Sequence, residues 1–423
     1  MHTEKEIHIY EFVWAISEAV DLISAALNNH HKKVAYISSS IALDMGLQGE
    51  AIQDILLAAM LHDIGVFSTE ESIKITSFDA EHHEMDSHAI IGYELIRKFL
   101  PLAKVAEIIK KHHAAYREPG DDVSLYGNIL HIADRLSILY DQRREILEQV
   151  PDMVASVLQK HCAFNPAVSA SLKRLEKKEY IWIEAFTQEI TLEKIRGVPF
   201  SRQIIDVETL REFAKTLAQI IDFRSRFTAT HSSGVAAVAM EISGMSGFSR
   251  RECKMMEVAG FLHDLGKVAV PNEVLEKEGA LNDSEFNQIR KHAYYTYVIL
   301  NKIKGLEHIA LWASQHHERP DGNGYPFHVK DSDFSKLSRI MVVADIVTAL
   351  TEDRPYRAGM ERAAVESILK NMAENNTIDK DIVDLVTAHF AQINNTRAAA
   401  QQTARKEYEA FYNDTHTLCS VSR

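Results

Sequence analysis

Two stretches of this chain repeat the same spacing of histidines, and that repeat constrains the fold more than any other feature. His30 precedes His62 by 32 residues and His231 precedes His263 by 32; His88 precedes His112 by 24 and His292 precedes His316 by 24. Asp follows His at 62–63 and again at 263–264, and paired histidines stand at 112–113 and 316–317. Phe12 and Asp21 return 201 residues later as Phe213 and Asp222. So many ligand-type residues at matched spacing mark a duplicated unit, and two copies make a tandem pair rather than a solenoid. A chain of 423 residues also has room for two domains of ordinary size. The expected division is a first domain over 1–196, a linker over 197–205 around Gly197 and Pro199, a second domain over 206–396, and a C-terminal helix and polar tail over 397–423.

Apolar positions recur at helical spacing, so the expected fold is all-α. Ile9, Phe12, Val13, Ile16, Val20 and Ile23 form one face of a helix over Ile7 to Leu27 that delivers His30 and His31. Further helices are expected over Val34–Leu43, from Ile52 to His62-Asp63, over Asp86–Phe99 with His88, over Val105–His113, and over Ile129–Tyr140 with Asp134. The order returns with a helix over Val207–Ile221 ahead of His231 and one from Arg251 to His263-Asp264. Asn282 and Glu285 form a capping box for the helix bearing His292. Leu172–Ile195 is expected to be strongly helical and to bridge the halves, and helices over 356–389 and 398–412 close the second copy.

Composition narrows the function. With 46% hydrophobic residues, 17 Gly and 9 Pro, the chain reads as ordered and globular. No apolar run is long enough to cross a bilayer and no signal-peptide pattern opens the chain, so a membrane role is not expected. Cys162, Cys253 and Cys419 are scattered and odd in number, which suits a reducing cytoplasm and leaves metal binding to His and carboxylates. A net charge of −13 argues against binding polymeric nucleic acid but allows a small phosphorylated ligand. The sequence leaves a homodimer open.

In the second copy, His231, His263, Asp264, His292, His316, His317 and Asp345 are the candidate metal ligands. Adjacent His and Asp on a helix point roughly 100° apart, so both face one cavity from different positions. A carboxylate there can bridge two metals, which one imidazole nitrogen cannot. Seven mixed N and O donors exceed one tetrahedral zinc and suit two six-coordinate ions with positions left for water and substrate. Two such ions lower the pKa of a bridging water to a hydroxide and clamp a phosphoryl group for in-line attack. Lys267, three residues past Asp264, brings an ammonium for a phosphate oxygen.

These residues, with His316-His317-Glu318-Arg319, the turn Asp321-Gly322-Asn323-Gly324-Tyr325-Pro326, Val343-Ala344-Asp345 and Asp353-Arg354-Pro355-Tyr356-Arg357, resemble the HD-GYP branch of the HD-domain metal-dependent phosphohydrolases. The resemblance spans about Asp206 to Arg357. It implies two tandem HD-type helical domains and a phosphodiesterase that opens a cyclic dinucleotide second messenger, cyclic di-GMP or 3′3′-cyclic GMP-AMP, to the linear form. It implies a centre of two divalent ions, Fe or Mn foremost with Ni and Zn also accepted. Asp264 and Lys267 would be catalytic, and Lys267, Tyr325, Arg354 and Arg357 would contact substrate. Members with a third metal carry a glutamate four residues before the first histidine; Phe227 stands there, so two metals are expected. Thr296 replaces a usual Gly, and Val347-Thr348 replace a common Phe-Asp. A cyclic dinucleotide receptor with little turnover and a mononucleotide phosphohydrolase are the alternatives.

The first copy keeps a full donor set in His30, His62, Asp63, His88, His112, His113 and Asp134, with His31 as an alternative to His30. Val66 takes the place of Lys267, and Ala114 to Gly120 replace the Gly-Tyr-Pro turn. This half resembles a degenerate HD domain. Either its histidines are structural or they form a second metal site.

Overall fold

The computed structural model describes residues 7–21, 29–66, 82–116, 122–159, 164–187, 190, 205–223, 230–275, 277, 279–353 and 358–421. All regular structure among them is helical, with an isolated bridge residue at His8 and no strand. By contact the chain separates into two units, Phe12–Gln203 with Asn413–Arg423, and Met1–Glu11 with Ile204–Tyr412. No helix among the described residues is long and apolar enough to cross a membrane.

The first half runs α1 (Ile9–Val20), α2 (His30–Asp44), α3 (Glu50–Leu61), α4 (His82–Ile96), α5 (Ala103–Lys110), α6 (Asp122–Leu139), α7 (Ile146–Gln159), α8 (Pro166–Leu175) and α9 (Glu179–Thr187). The second runs α10 (Val207–Asp222), α11 (His231–Met245), α12 (Arg250–Leu262), α13 (Asn272–Leu275), α14 (Asp283–Leu300), α15 (Glu307–Ser314), α16 (Lys336–Thr351), α17 (Arg362–Glu374), α18 (Lys380–Ala388) and α19 (Phe390–Val421). The packing repeats with the sequence. In the first half α2 lies on α3 and α6, and α5 on α3 and α4; in the second α11 lies on α12 and α16, and α15 on α12 and α14. Each helix turns an apolar face inward. For α12, Met256, Val258, Ala259, Phe261 and Leu262 are buried, and each large side chain stabilises the fold by about 1.5–3 kcal/mol.

Helix starts follow from local chemistry. Asp206 accepts the Thr209 N–H at 2.8 Å to open α10. Ser249 and Glu252 close a capping box on α12, and Asn282 and Glu285 close the one expected on α14. The 3₁₀ turn Leu265–Ala269 follows α12 and packs on α14. There a Cβ on Gly266 would stand 2.0 Å from the His292 carbonyl oxygen, so only glycine permits this approach.

Three expectations change. Leu172–Ile195 does not form one helix: α8 ends at Leu175 and α9 begins at Glu179. On a straight helix Ile181 would face about 180° from Leu172, yet both are buried. The break at 176–178 resolves that conflict, and the Trp182 indole then donates to Leu175 O at 3.0 Å. His112-His113 lie in a turn after α5 rather than on the helix. The polar end past Asn413 is helical to Val421, because Ile393, Arg397, Gln401, Ala404, Phe411 and Thr415 continue one buried stripe. The expected division at 396/397 therefore falls inside α19. Within the linker 197–205 only residue 205 is described, and Arg354, Arg357 and Phe227 lie outside the described residues.

Asn282→Ala removes the side-chain acceptor for the Glu285 N–H at 2.9 Å, so it should lower stability by about 1 kcal/mol. Thermal unfolding against the unmodified chain measures it, and a melting point unchanged within error would refute the cap's contribution.

Candidate metal centre

In the second half, helix ends and faces bring all seven expected donors together. His231 opens α11, His263 caps α12, and Asp264 begins the 3₁₀ turn. His292 lies on α14, His316 and His317 in the turn after α15, and Asp345 on α16. Their ligand atoms form two groups, His231–His263–Asp264 and His292–His316–His317, with the atoms of each group within 4.8 Å of one another. Asp264 spans the two groups. Its Oδ2 lies 3.2 Å from His263 Nε2, and its Oδ1 lies 3.4 Å from His292 Nε2 and 3.9 Å from His316 Nε2. Asp345 Oδ1 approaches His231 Nε2 at 3.2 Å.

The donor chemistry fits metal ions. Nδ1 of His263, His292 and His316 donates to the carbonyl three residues earlier, Gly260, Ile289 and Ala313, at 2.8, 2.5 and 2.7 Å. Each Nδ1 therefore holds the hydrogen, and in the neutral ring Nε2 carries a lone pair. His292 Nε2 and His316 Nε2 face each other at 3.0 Å. Burial pushes His292 down to about 3 and His316 well below its usual value, with neighbouring imidazoles adding to the effect. Burial thus favours the neutral form of both rings, and two lone pairs facing each other at that distance suit a shared cation. Burial disfavours the Asp264 carboxylate, but His263 and Lys267 outweigh it and keep the group ionised. Each of these is the form a metal requires.

Lys267 sits in the 3₁₀ turn with Nζ 2.5 Å from Asp264 Oδ2. Burial opposes its charge, but Asp264, Asp345 and Asp222 hold its pKa above the usual lysine value. Tyr325 lies at the rim, its ring centroid 4.7 Å from that of His317. The turn carrying it is fixed from beneath: Tyr325 N donates to His317 O at 3.1 Å, and buried Glu318 accepts from Phe327 N at 2.6 Å and Val329 N at 3.1 Å. A Cβ on Gly324 would stand 2.4 Å from Glu318 Cα, so glycine is required there. Thr296 donates to His263 O at 3.0 Å and accepts from Gly266 N at 2.9 Å, tying α14 to the ligand turn. Val347 and Thr348 are buried in α16.

Two contributors lie outside the expected donor set. Glu352, just past α16, accepts from His231 Nδ1 at 3.1 Å, and Gln401 of α19 donates to Glu352 Oε2 at 2.9 Å while accepting from Arg397. Glu352 follows Asp345 by seven residues, two helical turns, and that spacing was the available signal. Arg290, on α14, places its guanidinium 4.7 Å from the Tyr325 ring centroid. Glu352→Ala should weaken Mn²⁺ binding about 10- to 100-fold by freeing His231 to rotate. Metal titration of the purified variant checks this; binding as tight as in the parent chain would sink it.

Comparison with known proteins bears on both halves. Residues 28–139 match the HD domain family and residues 215–382 match a second HD domain family. The 3′3′-cGAMP-specific phosphodiesterase 1 of Vibrio cholerae is 27% identical over 93% of this chain and 94% of its own length. The cyclic di-GMP phosphodiesterase response regulator RpfG of Xanthomonas campestris is 36% identical over 36% of this chain and 40% of its own length. A crystal structure of a cyclic GMP-AMP specific phosphodiesterase of V. cholerae superposes with a TM-score of 0.61 at 20% identity, covering 94% of this chain and 98% of that one, and shows the shared fold. Each half thus carries an HD-domain match, and the Gly-Tyr-Pro turn beside the second donor set supports a tandem arrangement of HD-GYP type.

Proposed function

We propose that the second half, residues 206–396, is a cytoplasmic phosphodiesterase that opens a cyclic dinucleotide to its linear form. The observation that carries this reading is Asp264, whose two carboxylate oxygens face two separate imidazole groups. Such an arrangement could hold two divalent ions, with Fe or Mn as the occupants we favour. When bound, the ions supply an activated water and offset charge building at phosphorus.

The chain's own residues do the rest. Asp264, His231, His263 and Asp345 would hold one ion, and His292, His316 and His317 the other, with Asp264 shared. Lys267 would release Asp264 to the metals and turn its ammonium to a phosphate oxygen, stabilising the charge that grows during attack. Tyr325, whose ring lies tilted beside that of His317, would position the sugar-phosphate ring at the rim. Hydrolysis forms one new P–O bond to water oxygen and breaks the bond to the 3′-oxygen, which leaves with a proton. The names of the similar proteins support a cyclic dinucleotide, and the relative aligned along nearly the whole chain makes 3′3′-cyclic GMP-AMP the first choice over cyclic di-GMP.

Product analysis after incubation with each dinucleotide and Mn²⁺ tests the assignment, and intact substrate under metal-replete conditions would overturn it. Asp264→Ala should abolish turnover in a chain that remains helical by circular dichroism. Lys267→Ala should lower kcat about 100-fold with a smaller change in KM. A Lys267→Ala enzyme with unchanged kcat would remove Lys267 from the chemistry.

A further inference from the structure

We propose that the first half holds its own metal centre, in which His31 is a ligand with no counterpart in the second half. This goes beyond the hydrolytic reading of the second half and does not rest on it. The central observation is a difference between the two copies. In the second half the residue after the first histidine is Ser232, whose hydroxyl donates to Asp222 at 2.9 Å and whose N–H donates to it at 3.2 Å. In the first half the equivalent aspartate, Asp21, is bonded to Nδ1 of His31. That bond commits the Nδ1 hydrogen and leaves Nε2 with a lone pair, 3.9 Å from Asp63 Oδ2.

Two of the neighbouring rings are in the same state. His62 Nδ1 donates to Ala59 O at 2.8 Å and His112 Nδ1 to Ile109 O at 2.5 Å, so their Nε2 atoms carry lone pairs too. His62 Nε2 lies 3.3 Å from Asp63 Oδ2, and His88 Nε2 lies 3.3 Å from His112 Nε2 and 3.1 Å from His113 Nε2. His30, which the sequence offset favoured over His31, lies 3.2 Å from Asp134 Oδ1, so both histidines join the cluster. Three groups result, His31–His62–Asp63, His30–His62–Asp134 and His88–His112–His113. All eight side chains are buried. Arg135 is placed on Asp134 Oδ2 at 2.8 Å, while Oδ1 faces the imidazoles.

Six imidazoles and two carboxylates converging by their acceptor atoms, away from water, are a site for divalent transition-metal ions. Val66, itself buried, stands where Lys267 supplies an ammonium in the other copy. The added imidazole would take one of the positions that a hydrolytic centre leaves to water. The centre would thus be less open than that of the other copy, and its donors would tie α2, α3, α4, α6 and the turn after α5 together.

The test uses the full chain carrying Asp264→Ala and His316→Ala, which empties the second half, loaded with Mn²⁺ or Fe²⁺ and assayed by mass spectrometry for metal per chain. It should retain about two ions, and Mn²⁺ should raise its melting temperature. His31→Ser, which installs the residue of the other copy, should weaken Mn²⁺ binding by roughly 10- to 100-fold in that background, and Asp21→Ala should do so by about tenfold. A metal-free double variant overturns the centre, and unchanged Mn²⁺ affinity in folded His31→Ser overturns the ligand assignment. Should His31→Ser fail to fold, His31→Gln and Asp21→Ala decide the question by the same affinity measurement. None of these readouts depends on turnover by the second half.

Discussion

A hydrogen bond from imidazole Nδ1 to the carbonyl three residues back is the interaction on which both clusters depend. It occurs at His62, His112, His263, His292 and His316, each at the end of a helix or on its inner face. At His62, His112, His263 and His316 the bond serves a carbonyl near a helix end, and at all five it fixes the ring so that Nε2 points into the interior. Several such rings aimed at one point create a concentration of acceptors that a buried interior does not tolerate by itself. Cation binding and fold stability are thus coupled through the same few bonds.

The scaffold that aims these rings relies on close backbone approach. The turn after α12 lies so near α14 that only glycine fits at 266, and in the other half Gly65 stands under the same constraint, 2.2 Å from His88 O if a Cβ were added. Thr296 uses its hydroxyl to join the two segments across that contact. The corresponding residue on α4 is Gly92, which brings no hydroxyl. The second half therefore gains two hydrogen bonds at the turn that carries Asp264, the carboxylate that spans its two imidazole groups.

Much of this was legible in the sequence because helices convert spacing into direction. The matched intervals of 32 and 24 residues pointed to two copies of one helical unit, and the donors at those intervals converge in each. Asn282 and Glu285 showed where α14 begins because a cap is a local bond. What stayed hidden depends on tertiary contact. His231 and Glu352 are 121 residues apart, and Gln401 reaches Glu352 from α19, beyond the matched family region. The break between α8 and α9 was hidden because Leu172 and Ile181 each fit a helix, and only their shared burial rules out a single one. His31 was read as a substitute for His30, since periodicity alone does not reveal that Asp21 turns the second ring toward the same cluster.

The three bonds that pin the Gly-Tyr-Pro turn have a consequence for access. Tyr325 is joined by its own N–H to the residue that bears an imidazole donor, and the neighbouring Glu318 holds the turn at Phe327 and Val329. Swinging the turn outward would break these bonds, one of which runs to the backbone of His317. On the proposed reading its edge would act as a fixed aperture, selecting ligands by the shape already built into it.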